Sequence, residues 1–110
     1  MNLPETPFSA LHWESIPPEE YPGTTGTSHW RTFNSGALRV RIVDYGPDYL
    51  ADHWCDRGHV LHLISGELTV ELADGRDVAL TSGNSFCVSD YGDAAHRVRT
   101  QKGCRVFIVD

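Results

Sequence analysis

From residue 28 onward, glycine, aspartate, asparagine and proline interrupt the chain before any alternating run grows to the length of a helix. Asn34-Ser35-Gly36, Gly46-Pro47-Asp48, Asp56-Arg57-Gly58, Gly66 and Asp74-Gly75 are the clearest breaks. These residues favour turns for separate reasons: glycine reaches positive φ without steric cost, proline presets φ, and aspartate and asparagine bond their own backbone. Between the breaks lie SHWRTFN (28–34), ALRVRIVDY (37–45), YLADHWC (49–55), HVLHLIS (59–65), ELTVELA (67–73), DVALT (77–81), SFCVS (85–89), HRVRT (96–100) and CRVFIVD (104–110). About nine short strands at such spacing predict an all-β sandwich or barrel. In 37–45 the alternation sets Leu38, Val40 and Ile42 on one face and Arg39 and Arg41 on the other, solvated one; in 67–73 it sets Leu68, Val70 and Leu72 inward.

Residues 1–27 hold most of the prolines, including Pro17-Pro18, together with Gly23 and Gly26. They read as an extended lead-in arm pinned by Trp13 and Ile16, with a weak turn near SALHWESI (9–16), and residues 28–110 as the single domain. The net charge is −6 and the nine Lys and Arg are scattered, which argues against nucleic acid or an anionic membrane as partner. No apolar run approaches the roughly 18–20 residues of a membrane span. The opening MNLPETPFSALHW has neither a basic n-region nor an apolar h-region, so no secretory leader is expected. An odd cysteine count does not make a disulfide framework, and a cytoplasmic setting follows. Cys87 and Cys104 sit inside apolar strand patterns and are expected to be small buried hydrophobes.

The segment DHWCDRGH (52–59) is different, because it gathers two histidines, a cysteine and two aspartates. In a strand, residues two apart face the same side, so His53 and Cys55 would face together. A turn at 56–58 returns the chain, and His59 shares its face with Leu61 and Leu63. The pattern is H-x-C-x3-H-x6-G, and His96, at the start of HRVRT, is a further donor that a barrel would bring across. Three imidazoles and one thiolate suit Zn²⁺ and tolerate Fe²⁺, Ni²⁺ or Cu²⁺, whereas Ca²⁺ and Mg²⁺ want oxygen. Two other readings stay open: a nucleophilic Cys55 paired with His59 or His96, and a polar turn without chemistry. Cys55 itself is either a ligand or a free thiol beside three histidines. A Ser/His/Asp triad lacks a nucleophile elbow.

These motifs resemble those of the cupin superfamily, H-x-H-x3–4-E-x6-G followed by G-x5-P-x-G-x2-H. His53 to Gly66 is similar to the former, with Cys55 in place of its later His and His59 in place of the Glu. Gly83 to His96 is similar to the latter, with Ser89 for the Pro and one extra residue on each side of Gly92. From GTTGTSHWRTF (23–33) to VFIVD (106–110) the chain is similar to small single-domain cupins known by an Asp/His/Cys/Trp motif. The resemblance implies an antiparallel jelly-roll barrel with one metal at its wide end, held by His53, Cys55, His59 and His96, and a homodimer. It also implies a small organic substrate, but no particular one. The thiolate favours zinc and so an isomerase, lyase or cyclase; iron would mean a dioxygenase, and a non-catalytic binding module is the alternative. Tyr49, Tyr91 and Arg41 are the pocket candidates, Arg41 as a carboxylate binder. Asp52 and Asp56 could orient an imidazole, and Trp54, His62, His29 and His12 are expected to pack or to stand exposed.

Overall fold

The structure, a computed structural model, describes residues 3–110. A short 3-10 turn at Trp13–Ser15 precedes nine strands: β1 (Glu19–Pro22), β2 (Thr27–Ser35), β3 (Leu38–Tyr45), β4 (Tyr49–Leu50), β5 (His59–Leu72), β6 (Asp77–Thr81), β7 (Ser85–Val88), β8 (His96–Thr100) and β9 (Cys104–Val109). All pairings are antiparallel, in the order β1-β2-β3-β9-β5-β8-β4, with β6 and β7 added to β5. The sheet curls into a half-barrel, and no α-helix occurs among the described residues.

β5 makes the curl. Its first half pairs with β9 and β7, and its second half with β8 and β6. The exchange of partners falls at a register shift between Leu63 and Ser65, beside Gly66. The turn expected at Gly66, dividing two strands, is therefore a bend inside one long strand. Gly66 has φ +90°, and a Cβ there would stand 2.5 Å from the Gly103 carbonyl oxygen and 2.8 Å from Cys104 Cα. A bulge of this kind bends and twists a strand without ending it.

The concave face follows cross-strand rows. Val43, Val106 and Leu63 form one row, and Arg41, Ile108, Leu61 and Phe86 the next. In the second half, Val78, Val70 and Val98 lie abreast. Val43, Leu63 and Val106 have no exposed surface. The inward face of β3 thus carries Arg39, Arg41, Val43 and Tyr45, opposite to the expectation from Leu38, Val40 and Ile42. That outer face is buried too, because residues of the arm cover it. The Trp13 ring meets Phe107, the partner of Ile42, edge-on at 6.4 Å, and Arg31 Nε donates to the Ile16 carbonyl at 3.2 Å. A strand covered on both sides gives no readable alternation.

Three further expectations change. The arm contains β1, which extends the sheet edge along β2, and its Pro22 is tolerated because an edge strand has a free side. β4 stops at Leu50, so 51–55 is not strand, although Cys55 rejoins the sheet through an isolated bridge to His96. Cys104 is buried, its thiol pushed up to about 12 by burial, but Cys87 stands exposed on the outer side of β7. Replacing Gly66 by alanine is expected to cost about 2–4 kcal/mol, from strained φ plus backbone collision. Gly75→Ala, at φ +100° with nothing within 4 Å, is expected to cost about 1 kcal/mol. Urea denaturation of the two variants checks this, and equal losses would sink the account of the bend.

Candidate metal centre

At the open end of the half-barrel, Arg39, Asp110, His59 and Val88 lie abreast on β3, the end of β9, β5 and β7. Arg39 and Asp110 exchange both backbone hydrogen bonds, at 2.7 and 2.9 Å, and His59 faces Val88 across the ladder. The Asp110 side chain has no exposed surface. It accepts from Arg39 Nε at 2.9 Å and Nη2 at 2.7 Å and from Arg41 Nη2 at 3.2 Å, with Arg57 Nε at 3.5 Å. His59 Nδ1 is 3.0 Å from Asp110 Oδ2, within reach but bent away from a straight hydrogen bond. Burial pushes the Asp110 carboxyl upward, but the Arg39 fork, the His59 contact and the charge of Arg41 outweigh it and hold the carboxyl well below the usual range. Arg41 is 3% exposed and stacks on the Trp30 ring at 4.3 Å.

The donors meet beside this row. Cys55 and His96 are held face to face by paired backbone bonds of 2.7 and 3.0 Å. Cys55 Sγ is 3.6 Å from His59 Nε2, and the His59 and His96 rings meet edge-to-face at 5.0 Å. One donor atom each from Cys55, His59 and His96 lies within 4.8 Å of the others. His96 is 5% exposed and its Nε2 has no hydrogen-bond partner. Burial, then the neighbouring His59, lowers the His96 pKa against an opposing pull from Asp56, so its lone pair is free at neutral pH. The residues fit a transition metal. Donors bound to a tetrahedral zinc stand about 3.3–3.8 Å apart, which the Cys55–His59 separation of 3.6 Å matches. The orphaned imidazole nitrogen of His96 is what such an ion would satisfy.

The remaining sequence candidates are dispersed. His53 turns to solvent with its side chain 75% exposed and its Nδ1 2.7 Å from Asp52 Oδ1, a contact that holds the Asp52 carboxyl below its usual range. It misses the cluster because 51–54 is loop, where residues two apart need not share a side. Tyr49 is buried against Tyr45 and pairs with Thr100, at the opposite end of β8 from His96. Tyr91 is 82% exposed and borders an open cleft of about 910 Å³ with Arg57, His59, Asp90 and Asp110. Asp56 accepts from the Tyr91 amide through its backbone, Trp54 stacks under Arg97 at 4.3 Å, and His62 bonds Ser85 at 2.7 Å. His12 and His29 are exposed. Two participants escaped the sequence reading, Asp110 and Trp30. Neither carries a sequence signal: Asp110 is a lone acid at a strand end and Trp30 one aromatic in an alternating run.

No protein-family model matches the chain, and none of the curated proteins does. Solved structures do. The polyketide cyclase RemF from Streptomyces resistomycificus is 18% identical, with a TM-score of 0.75 over 93% of this chain and 78% of that one. Fe(II)-HppE with the alternative substrate (S)-1-HPP is 13% identical, with a TM-score of 0.75 over 94% and 60%. A cupin-2 domain containing protein from Shewanella frigidimarina NCIMB 400 is 14% identical, with a TM-score of 0.59 over 74% and 78%. The chain has the cupin fold.

In this half-barrel the row through Asp110 packs the opening. Asp110→Asn removes the counter-charge of buried Arg41 and is expected to cost about 3–5 kcal/mol in urea denaturation. Because the folded carboxyl titrates below its unfolded value, near 3.9, its stabilisation is complete above about pH 5 and fades as pH falls towards the folded pKa. Wild type is therefore expected to lose stability more steeply than Asp110→Asn between about pH 5 and pH 2. Parallel pH profiles would contradict the assignment.

Proposed function

We propose that this cupin holds one divalent transition metal ion on Cys55, His59 and His96 and acts as an enzyme on a small organic molecule. The observation that carries the reading is the convergence of a thiol and two imidazoles, one of them buried and unpartnered, at the open end of the half-barrel. Zinc suits this set best; iron, nickel and copper are the alternatives. Bound there, such an ion supplies Lewis-acid polarisation of a substrate oxygen. Three protein donors leave a fourth tetrahedral position for substrate, the pattern of catalytic rather than structural zinc sites. Asp110 lies on the Nδ1 side of His59 and so favours the tautomer whose Nε2 lone pair faces Cys55. The burial of His96 keeps its imidazole neutral. A zinc site implies non-redox chemistry, an isomerase, lyase or cyclase, and an iron site implies a dioxygenase. The likeness to a polyketide cyclase supports the first and that to an Fe(II) enzyme the second.

The narrower placement among cupins with an Asp/His/Cys/Trp motif, homodimer formation and a cytoplasmic setting belong to the same proposal. They draw on the DHWCDRGH segment, the exposed Val60 and Ile64 on the outer face, and three free cysteines. No helix among the described residues is long and apolar enough to cross a membrane. Two competing readings have support of their own. Cys55, His59 and Asp110 stand in the order of a nucleophile, base and orienting carboxylate; the other imidazole, with its orphaned nitrogen, has no part in that scheme. A non-catalytic binding module draws on the closely packed interior around Leu61, Leu63 and Leu68.

Elemental analysis of purified protein separates the metal site from the nucleophilic reading, and turnover of a small organic substrate separates an enzyme from a binding module. About one equivalent of metal is expected in wild type and in His53→Ala, and Cys55→Ser, His59→Ala and His96→Ala are each expected to weaken binding by about 10-fold or more. Full metal content in His96→Ala would refute the ligand set, and loss in His53→Ala would restore the third histidine as a fourth ligand.

A further inference from the structure

The open cleft of about 910 Å³ has His59 and Asp110 in its wall. Two loops build its rim, and they are fastened to each other around Arg57. The Asp56 carbonyl accepts from the Tyr91 amide at 3.0 Å, and the Gly58 amide donates to Asp90 Oδ1. A Cβ on Gly58 would stand 2.7 Å from the Asp90 nitrogen and 2.8 Å from the Val88 carbonyl oxygen. Arg57 is thus held on both flanks, yet its side chain is half-exposed in the cleft.

Its guanidinium is short of acceptors. The carboxylate oxygen it approaches, Asp110 Oδ2, already has Arg39 Nη2 at 2.7 Å, His59 Nδ1 at 3.0 Å and Arg41 Nη2 at 3.2 Å. Such an oxygen offers about two lone-pair sites, so Arg57 Nε, at 3.5 Å, is crowded out. Among the described residues its one hydrogen bond runs from Nη2 to the Ala37 carbonyl, at 3.3 Å. The other acid of the cleft, Asp90, is engaged by the Gly58 amide, and Ser89 and Cys87 bring no further acid. Tyr91, also in the wall, has φ +52°, a left-handed conformation that bulky residues rarely adopt. The residue is 82% exposed, so packing of its ring does not offset that strain.

We propose that the substrate is a small organic monocarboxylate, its carboxylate received by Arg57 and its carbon skeleton lying against Tyr91 and the apolar wall of Ala37, Val60 and Val88. The proposal rests on the metal reading above and names the substrate class for it. A guanidinium presents parallel N–H donors that match the two oxygens of a carboxylate. A divalent ion on His59 adds positive charge beside the cleft, so ion and carboxylate favour each other. Asp90 sets the limit, because an acid in the same wall repels a dianion such as phosphate more than a monoanion. The half-open cleft suits a charged group, which keeps part of its water there. Arg41, the carboxylate binder expected from the sequence, is spent on Asp110 and stacked on Trp30, which leaves the role to Arg57.

The test uses the full chain incubated with zinc and three probes: benzoate, benzamide and inorganic phosphate. The NMR signals of the Arg57 side-chain N–H and of the Gly58 and Tyr91 amides report occupancy. Benzoate is expected to shift them saturably, and benzamide and phosphate to bind at least about ten-fold more weakly. Arg57→Gln is expected to weaken benzoate at least about ten-fold, with zinc content and thermal midpoint unchanged. Tyr91→Gly is expected to weaken benzoate about three-fold without lowering the thermal midpoint, because glycine adopts the left-handed φ freely. Signals that ignore benzoate, undiminished benzoate binding in Arg57→Gln or Tyr91→Gly, or benzamide or phosphate binding as well as benzoate would each overturn the proposal, whatever the zinc content. If wild type took benzoate at these signals but retained no zinc, the metal reading would fall and the carboxylate site would stand.

Discussion

A carboxylate with no exposed surface must be neutralised by its surroundings, and Asp110 draws its partners from β3, from the 56–58 turn and from the start of β5. Those partners can meet only if β3, β9 and β5 pair in one register. A slip of one residue would turn Asp110 to the outer face and leave Arg41, 3% exposed, without a counter-charge. The same interaction therefore fixes the sheet and the position of His59. Trp30 completes it from β2, its ring covering the guanidinium of Arg41 at 4.3 Å.

Much of this architecture was legible because turn chemistry is local. Asp74-Gly75, Gly46-Pro47-Asp48 and Asp56-Arg57-Gly58 all fall between strands as their backbone preferences require. Gly66 shows the limit. Positive φ is a property of one residue, and a turn and a bulge both use it; only the approach of Gly103 and Cys104 makes it a bulge. The faces of β3 depart from simple alternation for a similar reason. Leu38 and Ile42 are apolar because arm residues far off in sequence cover them, and Arg41 is inward because Asp110, in the last strand pairing, awaits it.

The donor cluster divides in the same way. The three residues of the sequence motif that sit on, or bridge to, a strand converge, whereas His53, in the loop after Leu50, does not. Alternation is a rule about pleated backbone, and residues 51–54 are not pleated. Asp110 was unreadable for another reason: a single acid at a strand end has no motif, and its role comes from neighbours at positions 39, 41, 57 and 59.

The bend in β5 ties these parts together. His59 opens the strand and Leu72, the partner of His96, closes it. Laid straight, the strand from His59 to Leu72 would span about 43 Å, yet the His59 and His96 rings are 5.0 Å apart. The strand must fold back on itself at Leu63–Gly66, so the glycine that reads in sequence as a gap between two strands is what assembles the site. One half of the half-barrel contributes His59, anchored to Asp110; the other contributes His96 with Cys55 bridged to it. A ligand set drawn from both halves would clamp them at the end where His59 and His96 meet. A cavity of about 160 Å³ lies between the same two halves, with His96 in its wall.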